Sequence, residues 1–132
     1  MIKWRRNAIL AVAFYAKKLG LINYEAENHV AFKHDFTKTF GILASCEYDY
    51  NGKVIIDIDA KIHPLMALGT IAHEMVHAKQ YIKGELSETK KGLRLWKGKK
   101  VCANITYVDE PWEREAMRKE VIMSHQFFEF VK

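Results

Sequence analysis

The sequence predicts an α+β fold, and three observations carry that reading. The N-terminal segment spaces its apolar residues as an amphipathic helix does. Two β-forming runs flank Asn51-Gly52, the strongest short-range hairpin signal. Two later segments, "LMALGTIAHEMVHAKQYIK" and "PWEREAMRKEVIMSHQFFEFVK", keep a helical period. At 132 residues, with 49% hydrophobic and 28% charged residues, the chain has the profile of one globular domain spanning residues 1–132.

The elements follow in order. "MIKWRRNAILAVAFYAKKLG" begins with basic residues and continues with a short apolar stretch, the superficial form of a secretory signal. At about 100° per residue, however, Lys3, Arg6, Asn7, Lys17 and Lys18 share one sector, with Ile2, Ile9, Val12, Ala13, Ala16 and Leu19 opposite. Arg5 alone sits badly. A cleaved signal has no use for such a stripe, so a first helix is expected, ending at Gly20. "NHVAFKHDF" reads as a strand, and "FGILASCEYDY" and "KVIIDID" extend it to a meander of about three strands. His63-Pro64 breaks the chain before a helix of about 18 residues, with Gly84 at its C-terminal cap. "LRLWKGKKVCANITYV" suggests a small hairpin around "KGK". A last helix opens at Pro111, with Asp109 and Glu110 at the positive end of its dipole.

Composition limits the functions available. No apolar run approaches the roughly 20 residues of a membrane span. Cys46 and Cys102 form no C-x-x-C pair and cannot build a four-cysteine zinc site, so two free buried thiols in a reducing cytoplasm are expected. Twenty-one basic against 16 acidic residues give a net charge of +5, with lysines clustered at Lys90 and Lys91 and at Lys97, Lys99 and Lys100. Such a surface can meet nucleic acid or an acidic partner, and equally can serve as a solvated loop.

The chemistry concentrates in "IAHEMVHAKQY". Leu68, Ile71, Ala72, Met75, Ala78 and Ile82 form the apolar stripe of this helix, and His73 and His77 stand together on another face, one turn apart. Two imidazole nitrogens so placed can both reach one ion at about 2.0–2.1 Å. Glu74, one step round, can serve as a general base at the ion's open position. A catalytic zinc site takes three protein ligands, so a third is required. Cys102 stands alone, His125 lies near the chain end, and His29, His34 and His63 precede the helix. Glu113 and Glu115 of "PWEREAM" are better placed; they point about 200° apart, so one of them can face the ion. Tyr81 and Tyr107 are chemically able to donate to an oxyanion, and His63 or Asp109 to orient a ligand.

"HEMVH" with a downstream "ExxA" resembles the zincin metallopeptidases, specifically the gluzincins. The resemblance implies a zincin-like fold holding one Zn2+ per chain, His73, His77 and Glu113 as ligands, Glu74 as catalytic base, and Ala116 as the small residue allowing close helix approach. It implies peptide hydrolysis of a protein or peptide substrate, with "KVIIDID" as the strand along which an extended substrate pairs. "HEMVHA" and the element order are also similar to the SprT-like group, which includes DNA–protein crosslink proteases. The sequence departs from that group in having no histidine between His77 and His125 and no cysteine zinc ribbon. The scaffold is taken from this likeness and the DNA-repair role is not. The alternatives carried forward are a zinc-stabilised protein without catalysis and a basic nucleic-acid-binding module.

Overall fold

Helix α1 spans Ile2–Lys18 in the computed structural model, which describes residues 2–21, 30–33, 44–48 and 54–132. It ends as the sequence predicts: Gly20 adopts φ 73°, and Leu21 N–H bonds back to the Ala16 carbonyl at 2.8 Å. Its buried face is Ala8, Ala11, Val12, Tyr15, Ala16 and Leu19, while Ala13 is exposed. The face is thus rotated from the expected stripe toward Tyr15. A buried aromatic ring outweighs an alanine methyl in apolar area, and the Tyr15 hydroxyl finds an acceptor in the Leu68 carbonyl at 3.2 Å.

Three strands follow: β1 (Val30–Lys33), β2 (Ala44–Tyr48) and β3 (Val54–Asp59). β2 and β3 pair antiparallel, with Cys46 opposite Ile56, as a hairpin requires; the Asn51-Gly52 turn lies outside the described residues, as do His29 and His34. The expected meander is corrected. β1 pairs with β3, in parallel, so the order is β1-β3-β2 and β3 is the middle strand. Ile56 and Ile58 of β3 are fully buried. After β3 the Asp59 carboxylate accepts the Lys61 N–H at 2.8 Å, turning the chain toward the next helix.

That helix, α2 (Pro64–Ile82), runs through the middle of the molecule. Ile71, Ala72, Met75, Val76, Ala78 and the polar Gln80 are completely buried and Lys79 nearly so, so its buried surface extends well beyond one stripe. Ile82 lies outside it, exposed near the C-terminal end. Gly84, at φ 71°, caps it. A second sheet then forms from β4 (Leu86–Glu88), β5 (Arg94–Trp96) and β6 (Lys99–Lys100), all antiparallel in sequence order. The expected "KGK" hairpin is β5–β6, with Lys97 (φ 51°) and Gly98 (φ 84°) both in the left-handed region that a two-residue mirror turn requires. β4 adds a third strand to it. A short 3-10 turn, Tyr107–Asp109, leads into α3 (Pro111–Val131), whose first residue is the proline.

The fold is therefore α+β: three described helices, a mixed sheet and a small antiparallel sheet. α3 buries Trp112, Ala116, Met123 and Phe127, one stripe at helical spacing. Phe127 packs edge-on against Phe14 and Tyr15 of α1, with ring centroids 5.4 and 5.9 Å away. No helix among the described residues is long and apolar enough to cross a membrane. The docking of α3 predicts that Phe127→Ala lowers stability by about 3–5 kcal/mol. The same change at the neighbouring Phe128, 51% exposed, should stay within about 0.5 kcal/mol of the parent. Urea denaturation of both variants measures the difference.

Candidate metal centre

His73 and His77 stand one turn apart on α2 with ring centroids 4.9 Å apart. Glu113, in the first turn of α3, sends Oε1 between them: His73 Nε2 lies 2.9 Å from that oxygen and His77 Nε2 3.1 Å. The Tyr107 hydroxyl donates to the same oxygen at 3.0 Å. The three candidate ligand atoms lie within 4.8 Å of one another, close enough to share one ion.

The far side of each imidazole decides what its near side offers. His73 Nδ1 lies 3.1 Å from Glu120 Oε1, a carboxylate that can only accept, so Nδ1 carries the proton. For His77 the argument runs through Gln80. The Gln80 amide nitrogen donates to the Trp112 carbonyl and to Glu115 Oε1, both at 2.9 Å, which turns its oxygen toward His77 Nδ1, also at 2.9 Å. His77 Nδ1 is therefore the donor. In the neutral form of each imidazole the lone pair is then on Nε2, aimed at Glu113. Only a proton or a metal cation can bridge such lone pairs to a carboxylate oxygen. Two imidazole nitrogens and one carboxylate, oriented from behind, fit the donor set of a three-ligand zinc site.

The electrostatics follow from this geometry. Burial pulls the His73 imidazole down, but its hydrogen bonds to Glu113 and Glu120 prevail and raise it to about 9. His77 is likewise raised against its burial, by Glu113. Burial pushes Glu113 up, and the two histidines outweigh it, holding its carboxyl well below the usual carboxylate range. Glu74 differs. It makes no hydrogen bond or ion pair among the described residues, and burial raises its carboxyl above the usual range despite the attraction of His77 and His73. A carboxyl raised by burial, beside imidazoles that could share an ion, has the heightened proton affinity that general acid–base chemistry draws on.

These groups line a cavity of about 250 Å³. Ala44 and Cys46 of β2 form one wall, and Leu86 and Arg94 of the small sheet contribute to its lining with Tyr81, Tyr107 and Trp112. Both expected tyrosines are thus at the cavity. Of the two glutamates left open by the sequence, Glu113 meets the histidines. Glu115 instead accepts hydrogen bonds from Lys79 Nζ (3.0 and 3.1 Å) and from Gln80. Ala116 is fully buried, as close helix approach requires. The orienting contacts come from Glu120 and Gln80 instead of His63 or Asp109; Asp109 accepts the Thr106 hydroxyl at 2.7 Å. Both signals were present in the sequence. Glu120 lies seven residues after Glu113, nearly two whole turns, and Gln80 lies three after His77. Cys46 and Cys102 are free, but neither is a fully buried thiol: Cys102 is exposed on an irregular segment, and Cys46 is half-buried on β2, where burial still pushes its thiol up.

Comparison with protein-family models, with curated proteins and with solved structures gives no match for this chain.

Two outcomes follow from the geometry. In the metal-free protein, the raised His73 contributes stability fully present below pH 6.5 and lost as pH rises through about 9. A metal must displace that proton, so apparent zinc affinity should climb with pH between 6.5 and about 9, by up to about tenfold per pH unit for each proton released. Competition titrations at several pH values read this slope. Secondly, Glu113→Ala should lose zinc, whereas Glu115→Ala should retain it and lose about 1–3 kcal/mol of stability. Metal content and thermal melts of the two purified variants separate the roles.

Proposed function

We propose that this chain is a zinc-dependent peptidase, with His73, His77 and Glu113 holding the ion and Glu74 as the general base. The observation that carries this reading is the convergence of both Nε2 atoms on Glu113 Oε1 in one cavity with Glu74, which makes no hydrogen bond or ion pair among the described residues. A zinc ion bound there supplies Lewis acidity toward a substrate carbonyl and makes water a stronger nucleophile at neutral pH.

The chain's own residues do the rest. Glu74 takes the proton of the attacking water and passes it to the leaving amine, a task suited to a carboxyl whose proton affinity is raised by burial. Glu120 and Gln80 fix the imidazoles, and Tyr107 fixes Glu113. The substrate strand differs from the one the family resemblance implies. β3 is bonded on both sides, so it has no edge to offer an extended peptide. β2 is an edge among the described strands, and Ala44 and Cys46 bring it to the cavity. An extended protein or peptide substrate is therefore assigned to β2, by main-chain pairing. The free cysteines support action in a reducing cytoplasm.

Glu74→Gln tests the assignment, since it keeps the shape of the side chain and removes its basicity. Zinc content should remain at one ion per chain, and peptide hydrolysis should fall by at least about 10²-fold. Zinc-dependent stability with no hydrolysis in the parent would identify a structural metal protein instead. Binding of DNA that survives His73→Ala and weakens with salt would identify a nucleic-acid module.

A further inference from the structure

Arg94 is the one lysine or arginine among the described residues lining the cavity. It stands on β5, opposite Glu88 in register, and its guanidinium lies over the Trp112 ring at 5.2 Å from the centroid. Nη1 donates to Glu110 Oε2 at 2.9 Å. Stacking and this single bond hold the group in place, yet the side chain remains 49% exposed. A guanidinium has five N–H donors in a planar fork, and one is engaged here among the described residues. Stacking occupies its face and leaves the donor-bearing edge, which matches a carboxylate two bonds at a time.

The surroundings point to the same kind of ligand. Elsewhere the cavity lining carries the carboxylates of Glu74 and Glu113, which repel an anion. Residues 83–100, which include the whole small sheet, hold seven lysines and arginines against Glu85 and Glu88, a net +5. That equals the net charge of the entire chain, so the remaining residues balance to zero. Lys90, Lys91, Lys97, Lys99 and Lys100 are all exposed. The wall that carries Arg94 therefore belongs to a positive region of the molecule, and that charge favours the approach of acidic chains to the cavity.

We propose that Arg94 is the specificity-determining residue of this site and selects a substrate carboxylate. That carboxylate is either an aspartate or glutamate side chain near the scissile bond or the free C-terminus of the peptide. The inference rests on the peptidase reading. Its test uses zinc-loaded protein and a peptide panel in which Asp and Glu are exchanged for Asn and Gln, and free C-termini for amides. The wild-type chain should cleave carboxylate-bearing peptides at least about tenfold better in kcat/KM, chiefly through KM, as expected for loss of a charge-assisted contact. Arg94→Gln should abolish the preference, and Arg94→Lys should keep part of it. Sensitivity to amidation identifies the C-terminus, and sensitivity to Asn or Gln exchange identifies a side chain. Tryptophan fluorescence of zinc-loaded Glu74→Gln, with and without Arg94→Gln, reads peptide binding independently of turnover. Cleavage without a carboxylate preference, or a preference unchanged in Arg94→Gln, overturns the inference and leaves the peptidase reading intact. Arg94-dependent carboxylate binding with no cleavage by the wild-type chain overturns the peptidase reading and upholds Arg94 as a carboxylate-binding residue. Neither cleavage nor Arg94-dependent binding overturns both.

Discussion

One oxygen atom, Glu113 Oε1, is the point on which this structure turns. Two imidazoles from α2 and a phenol from the turn before α3 all address it. Such crowding around a carboxylate is tolerable only with positive charge between the partners, whether protons or a metal ion. Either kind of charge fits the same three atoms, before any chemistry is assigned to them. The remaining contacts keep α2 and α3 at the separation and rotation that this oxygen demands.

The means are of two kinds, divided along α3. Its C-terminal half is held by apolar packing, through Met123 and Phe127 against the core that α1 shares. Its first turn is held by polar contacts to a buried stretch of α2. Lys79 and Gln80 are buried, and a buried charge or amide is costly unless every partner is supplied. The start of α3 supplies Glu115 to both and the Trp112 carbonyl to Gln80, while Glu85 forms an ion pair with Lys79 at 2.7 Å. This network also holds the Gln80 oxygen toward His77. Burial of charge under the centre and orientation of the imidazole are thus one arrangement.

Local patterns were legible in the sequence and long-range pairings were not. The helices followed from their periods, the caps at Gly20 and Gly84 from their residues, and the β5–β6 turn from "KGK". The parallel pairing of β1 with β3 brings together residues separated by the intervening β2, and no local pattern records such a choice. β4 is three residues long, too short to show alternation. At the centre, the two histidines and Glu74 were readable because a single helix fixes their spacing. Glu113 and Glu115 were not separable by spacing alone, since both lie near the start of one helix, and only the family resemblance favoured Glu113; the burial of Trp112, Ala116, Met123 and Phe127 rotates α3 and so decides which faces α2. Tyr15 misled in the opposite sense, because an aromatic ring drew the buried face of α1 away from Ala13.

Glu113 and Glu120 occupy one line along α3, two turns apart, with one reaching both imidazoles and the other backing His73. The spacing of seven residues therefore acts as a ruler. Losing or gaining a single residue between them would swing one member about 100° away from the other and uncouple the ring from its support. The Thr89–Gly92 turn carries no such measure: most of its positions are exposed, and its hydrogen bonds among the described residues run within the turn and to Leu93. Natural variation in length should thus collect in the small sheet's turns and be excluded from the stretch between Glu113 and Glu120, a pattern readable from sequence lengths alone in any set of relatives.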